Sequence, residues 1–141
     1  MKPYIYLPHT ADAKFQAWGK NLEEAFKNAA YAMTDVITDH TKIEPQIKKQ
    51  IKLSSENPES LLYDFLEQFL FLLDTERFLL NKIKKIKIIE KKNQLLLIAS
   101  LIGDNKPIRY AIKTTIKAVT YQEMFIKHEK GKVTVQVVVD I

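Results

Sequence analysis

Ile83-Lys84-Lys85-Ile86-Lys87-Ile88 and, after a short break, Leu95-Leu96-Leu97-Ile98-Ala99-Ser100-Leu101 decide the fold class. Before this stretch the apolar residues recur at spacings of three and four. From Ile83 onward they recur every second position, the period of a strand with one face in water. Turns are predicted at Lys91 to Gln94 and at Gly103 to Pro107, with a further strand from Lys113 to Val119. Met124 to His128, a Lys130-Gly131 turn and Val133 to Val139 read as a closing hairpin.

Working back from that switch, Leu61, Leu62, Phe65, Leu66, Phe69, Leu70 and Leu73 give a helix with a wide apolar face, entered through Pro58 and Glu59 and running through Asp74. An earlier helix is capped by Asn21, carries Glu23 and Glu24 in its first turn, and runs to about Thr38. Its stripe is Leu22, Ala25, Phe26, Ala29, Met33, Val36 and Ile37. Between the helices Pro45 breaks the pattern, Ile47, Ile51 and Leu53 suggest a partly exposed strand, and Ser54 to Pro58 form a polar turn. Tyr4 to Leu7 and Lys14 to Trp18 read as short strands, which places His9-Thr10-Ala11-Asp12 on the loop between them. The sum is an α+β fold: one domain over residues 1–141, with two helices packed on a largely antiparallel sheet. A doubly wound parallel fold does not suit this order.

The 141 residues suffice for a full core in one domain. No apolar stretch approaches the roughly 20 residues of a membrane span, and the amino terminus lacks the features of a signal peptide, so a soluble cytoplasmic protein with no membrane partner is expected. The absence of cysteine excludes disulfides, thiolate zinc sites and cysteine nucleophiles. The three glycines form no phosphate-cradling loop. A net charge of +5 invites a nucleic-acid reading. Lys48-Lys49, Lys84-Lys85-Lys87 and Lys91-Lys92 are nevertheless spread through strands, as solvent-facing residues and edge protection would be.

Asp12 falls outside the periodic elements. It is either a turn former bonding its own backbone or a functional carboxylate. Asp140-Ile141, where the sequence ends, would add a side-chain carboxylate and a main-chain carboxylate at the tip of the last strand. Asp140 could equally be a tolerated polar residue at a frayed end. If Asp12 comes near that tip, three carboxylates meet, and like charges so packed favour a hard cation such as Ca²⁺ or Mg²⁺. His9 could be a base or a ligand, but imidazole suits an oxygen-rich calcium shell poorly, and a role orienting a ligand fits better. His40 and His128 are assigned nothing. Trp18, Tyr110 and Tyr121 could stack a base, with core packing the plainer reading.

His9-Thr10-Ala11-Asp12, Ala17-Trp18-Gly19, Leu22 to Ala30, Thr38-Asp39, Lys117-Ala118-Val119-Thr120-Tyr121 and Val139-Asp140-Ile141 form an ordered series that resembles the archease family. The resemblance runs from residue 4 to the last residue. Two positions depart from the family pattern: Pro8, where an acidic residue is frequent, and Gln122-Glu123, where His-Gly or Ser-Ala is frequent. The resemblance implies a protein cofactor of the RtcB-type tRNA-splicing ligase that promotes guanylylation and multiple turnover and broadens nucleotide use, without being an enzyme itself. It implies calcium held by Asp12, Asp140 and the terminal carboxylate of Ile141, a role for Lys117 in activating the partner, and RNA contact that is only indirect or transient. The competing readings are a small metal-dependent phosphotransfer or hydrolytic enzyme built on Asp12 and Asp140, and a chaperone-like module presenting the Leu61 to Leu73 face.

Overall fold

The computed structural model describes residues 2–9 and 11–141; Thr10, within the expected loop, lies outside the described residues. Strands β1 (Tyr4–Leu7) and β2 (Asp12–Gly19) lead into α1 (Leu22–Ile37) and a 3-10 turn at His40–Lys42. Strand β3 (Ile47–Ser55) and α2 (Pro58–Glu76) follow, then β4 (Leu79–Lys91), β5 (Gln94–Asp104), a second 3-10 turn at Pro107–Arg109, β6 (Ala118–Glu129) and β7 (Lys132–Asp140). Among the described residues no helix is long and apolar enough to cross a membrane.

Both helices start where their caps place them. The Asn21 side chain accepts from the Glu24 N–H at 2.9 Å while Glu24 reaches back to accept from the Lys20 N–H at 3.1 Å, so one orphan donor of the first turn and the N–H just before the cap are both satisfied. Asn57 repeats the cap for α2, accepting from the Ser60 N–H at 2.8 Å, with Pro58 in the first turn. Arg77 ends α2 in the left-handed conformation, φ 57°, its N–H returned to the last carbonyls of the helix.

The strands divide into two antiparallel sheets, one ordered β1-β2-β7-β6 and the other β3-β5-β4. Helix α1 packs on β2 and β4, and α2 packs on β6 and β3, so each helix bridges both sheets. One continuous core results, with Phe26 of α1 stacked on Phe65 of α2 at 5.8 Å between ring centroids. Phe15, Ala17, Val135, Val137 and Val139 face it from the first sheet, and Ile51, Ile83, Leu97, Ala99 and Leu101 from the second. At the junction of β3, β4 and β5, a Cβ on Gly103 would lie 2.0 Å from the Leu79 carbonyl oxygen, so this close approach requires glycine.

Several boundaries differ from the sequence reading: β4 begins at Leu79 rather than Ile83, β5 runs to Asp104 into the expected turn, and β6 is one strand from Ala118 to Glu129. Lys113 to Ile116 is not a strand; β6 starts only at Ala118. The segment instead crosses the end of α1 and satisfies its unpaired carbonyls. The Lys113 N–H donates to Ile37 O at 2.7 Å, and Lys113 Nζ donates to Asp35 O at 2.8 Å. Strand β2 starts at Asp12 rather than Lys14. Ala11, at φ 64°, turns the chain directly before it, and the ladder then begins at once.

Beside Gly103, buried Asp104 ties the second sheet to the loop after it. It accepts from Tyr110 Oη at 2.5 Å and from Arg109 Nη1 at 3.4 Å. Burial works to raise the Asp104 carboxyl, but the Tyr110 hydrogen bond, those from the Asn105 and Lys106 N–H groups, and the Arg109 charge outweigh it and hold it below the ordinary value of 3.8. A depressed carboxyl adds stability above its unfolded value, and that contribution is lost as pH falls through the lowered one. Asp104→Asn is expected to lose about 2 kcal/mol near neutral pH and to flatten the acid limb of stability measured by urea denaturation. An unchanged acid limb would contradict this account of the network.

A candidate metal centre at the paired ends of β2 and β7

The β2–β7 register sets Asp12 directly opposite Asp140, and the β6–β7 register sets Ala118 on the other side of Asp140. Directly opposed residues of an antiparallel pair project from the same face, with Cβ atoms about 5 Å apart. The Lys117 N–H donates to Asp140 O at 2.7 Å, and exposed Ile141 follows Asp140. Asp12, Asp140, Lys117 and Ile141 therefore meet at one end of the first sheet, although 105 or more residues separate Asp12 from the other three. Asp12 is thus the first residue of a strand, not a loop residue as its sequence context suggested. Asp is a poor strand former, and the apolar alternation becomes visible only at Phe15.

Lys14 and Gln16 share the outer face of β2 with Asp12, because Phe15 and Ala17 take the alternate positions toward the helices. Gln16 Nε2 donates to Gln136 Oε1 at 2.9 Å, and Gln136 Nε2 donates to Glu123 O at 2.8 Å. That carbonyl belongs to an irregularity in β6 between Thr120 and Phe125, where Glu123 takes φ 54°. A bulge of this kind re-aims a side chain. The Glu123 carboxylate receives Lys14 Nζ at 3.1 Å on one oxygen and lies 3.0 Å from His9 Nε2 on the other. The other ring nitrogen, His9 Nδ1, is buried without a hydrogen-bond partner and stands 3.7 Å from Asp12 Oδ2. His9 is held by Glu123 and aimed at Asp12.

The donor set suits a hard cation. Two carboxylates share a face at opposed positions, where like charges repel, and among the described residues neither pairs with a lysine or arginine. No group of three or more His, Cys, Asp or Glu side chains among the described residues could hold a metal ion.

Glu123 and Lys14 are the participants that sequence reasoning missed. The one signal was the Gln122-Glu123 departure: glycine enters the left-handed region freely, and Glu123 occupies that region. Other residues singled out from the sequence lie in other settings. His40 Nδ1 is 2.8 Å from Asn81 O, and its ring stacks on Tyr31. Tyr121 stacks on Tyr63, Tyr110 serves Asp104, Trp18 lies under Lys132 Nζ, and His128 is exposed on β6.

The model of the archease protein family matches residues 4–141. A Methanothermobacter thermautotrophicus protein called archease is 39% identical over 141 residues, covering 100% of both chains. The solution structure of a Methanobacterium thermoautotrophicum protein superposes with a TM-score of 0.87 at 38% identity, covering 100% of both chains. A Thermotoga maritima crystal structure, named an archease and possible chaperone, gives 0.63 at 19% identity, covering 96% of this chain and 94% of the other, and that likeness is one of fold.

Hydrogen bonds from Lys14 and then His9, reinforced by their charges, hold the Glu123 carboxyl below its ordinary value of 4.5. These contacts stabilise the fold above that value, and the stabilisation is lost as pH falls through the lowered one. Carbon-detected NMR titration should show Glu123 titrating below its ordinary value and moving up toward it in Lys14→Met. A Glu123 value that Lys14→Met leaves in place would contradict the assigned contact.

Proposed function

The chain belongs to the archease family, and on that ground we propose that it is a protein cofactor of an RtcB-type tRNA-splicing ligase, promoting guanylylation and multiple turnover and broadening the nucleotides used. The observation that carries this reading is the opposition of Asp12 and Asp140 in the β2–β7 ladder, with Lys117 bonded to the same residue. Asp12, Asp140 and the carboxylate of Ile141 would hold calcium. Bound there, the ion supplies a positive charge able to accept further oxygen ligands.

The residues around the pair have separable tasks. Asp12 and Asp140 present carboxylates from adjacent strands, so their separation is set by the ladder rather than by a loop. His9, fixed through Glu123, limits where the Asp12 side chain can move. Lys117 is exposed and available to a partner or its nucleotide. A hydrolytic reading would need a base open to water, and the one unengaged imidazole nitrogen near the carboxylates, His9 Nδ1, is buried 3.7 Å from Asp12 Oδ2. The chaperone-like reading drew on the apolar face of α2. Leu61, Leu62, Phe65, Leu66, Phe69 and Leu70 are buried, so that face is not an open client surface.

The test is RNA ligation by a cognate RtcB-type ligase at large substrate excess, with wild-type protein, with Asp12→Ala and with no addition. Wild type is expected to bring multiple turnover, and Asp12→Ala is expected to stay at the level of the ligase alone. Three equal time courses would refute the proposal. A second outcome concerns the chain end: extending the protein beyond Ile141 converts its carboxylate to an amide and should weaken Ca²⁺ binding by calorimetry. Equal affinity would remove Ile141 from the ligand set.

A further inference from the structure

We infer that the outer face of the β3-β5-β4 sheet is a binding surface for the phosphate backbone of a nucleic-acid strand. Register fixes which residues share this face. Ile51, Leu97, Ala99, Leu101 and Ile83 point into the core, so the alternate positions point outward. On β3 these are Lys48, Gln50, Lys52 and Ser54; on central β5 they are Ile102, Ser100, Ile98 and Leu96. On β4 the partners of those β5 residues are Lys82, Lys85, Lys87 and Ile89. Two lysine rows thus flank a central strip of half-buried Ile, Ser and Leu.

All five lysines are exposed, and among the described residues none is in an ion pair. No Asp or Glu occupies any outward position of the three strands over these registers. Lys49, which is ion-paired to Glu76, belongs to the other face of β3. The β4 irregularity adds exposed Lys84, which with Lys48, Lys49, Gln50, Ser100 and Leu101 lines a shallow cleft of about 460 Å³ at the edge of this face.

Edge protection alone does not explain this arrangement. A charge on each edge strand is enough to block strand pairing, and mixed signs would serve without self-repulsion. Here the rows face each other across two strand spacings, roughly 10 Å, a little beyond the Debye length of about 8 Å at physiological salt, so their mutual repulsion is only partly screened. Five unneutralised cations at that distance repel, and a polyanion relieves the repulsion while releasing its counterions. On β4, Lys85 and Lys87 stand roughly 6.7 Å apart, comparable to successive phosphates of an extended single strand, while Lys48 and Lys52 on β3 stand about twice as far apart with Gln50 between them. The outward positions carry no aromatic ring, so the contact is to phosphates rather than stacked bases, and is sequence-tolerant and transient.

This surface lies on a different sheet from the carboxylate pair, and its test contains neither ligase nor calcium, so it stands or falls separately from the proposed function. A fluorescein-labelled unstructured oligoribonucleotide is titrated with full-length protein by anisotropy at several salt concentrations. Wild type is expected to bind with a logarithmic salt slope of about −3.5 for five phosphate contacts. Replacing Lys48, Lys52, Lys82, Lys85 and Lys87 together by Gln should weaken binding at least tenfold and flatten the slope, with an unchanged circular dichroism spectrum. A charge-matched control, with Lys20, Lys27, Lys106, Lys127 and Lys130 replaced by Gln, should bind nearly as wild type. The same sequence in DNA should bind equally, since no group here reads the 2′-hydroxyl. Equal binding by both variants, an equal loss in both, or binding of polyglutamate or phosphatidylserine vesicles but not RNA would overturn the inference.

Discussion

The antiparallel ladder between β2 and β7 is the constraint on which both the fold and the site depend. It runs through eight pairs, from Asp12 opposite Asp140 to Gly19 opposite Val133. A slip of one residue would part the two aspartates and turn Phe15 and Ala17 out of the core. Strand β7 alone does not fix this register, because Val137, Val138 and Val139 are all buried and the alternation lapses there. The specification comes from β2, whose polar and apolar residues alternate from Asp12 to Ala17, and from the Gln16–Gln136 hydrogen bond. That same bond passes support through Gln136 to Glu123 and so to His9 and Lys14.

The two sheets carry opposite chemistry because their outer faces are built from different strands. On the first sheet, β2 and the last strand, β7, pair and bring two carboxylates together. On the second, the two strands flanking β5 array lysines on one outer face, Lys48 and Lys52 on one side and Lys82, Lys85 and Lys87 on the other. Helices α1 and α2 bury their apolar faces between the sheets, which leaves polar function to the outer surfaces. The carboxylate end and the lysine face can therefore vary independently of the core.

Much of this was legible in the sequence where local physics decides. Asn21 and Asn57 mark helix starts because a side-chain cap needs only the next three residues. The period-two stretches from Ile83 onward mark strands for the same reason. Lys113 to Ile116 misled because its alternation suits a strand, while its backbone is used by the carbonyls ending α1, a tertiary circumstance. Glu123 could not be found from spacing, since its partner Lys14 is 109 residues away and its aim depends on a bulge. Likewise the lysines read as scattered until pairing through β5 placed them on one face. The division into two sheets was hidden as well, because antiparallel hairpins join either one sheet or two equally well.

The most direct test of the account is the thermal melting of wild-type protein and of Asp12→Asn, each with calcium added and with calcium removed by chelator. The opposed carboxylates should make the calcium-free wild type melt lower than calcium-free Asp12→Asn, and calcium should raise the wild-type midpoint while leaving the variant's unchanged. Calcium shifts of equal size in both proteins, or none in either, would contradict a cation site founded on the Asp12–Asp140 pair.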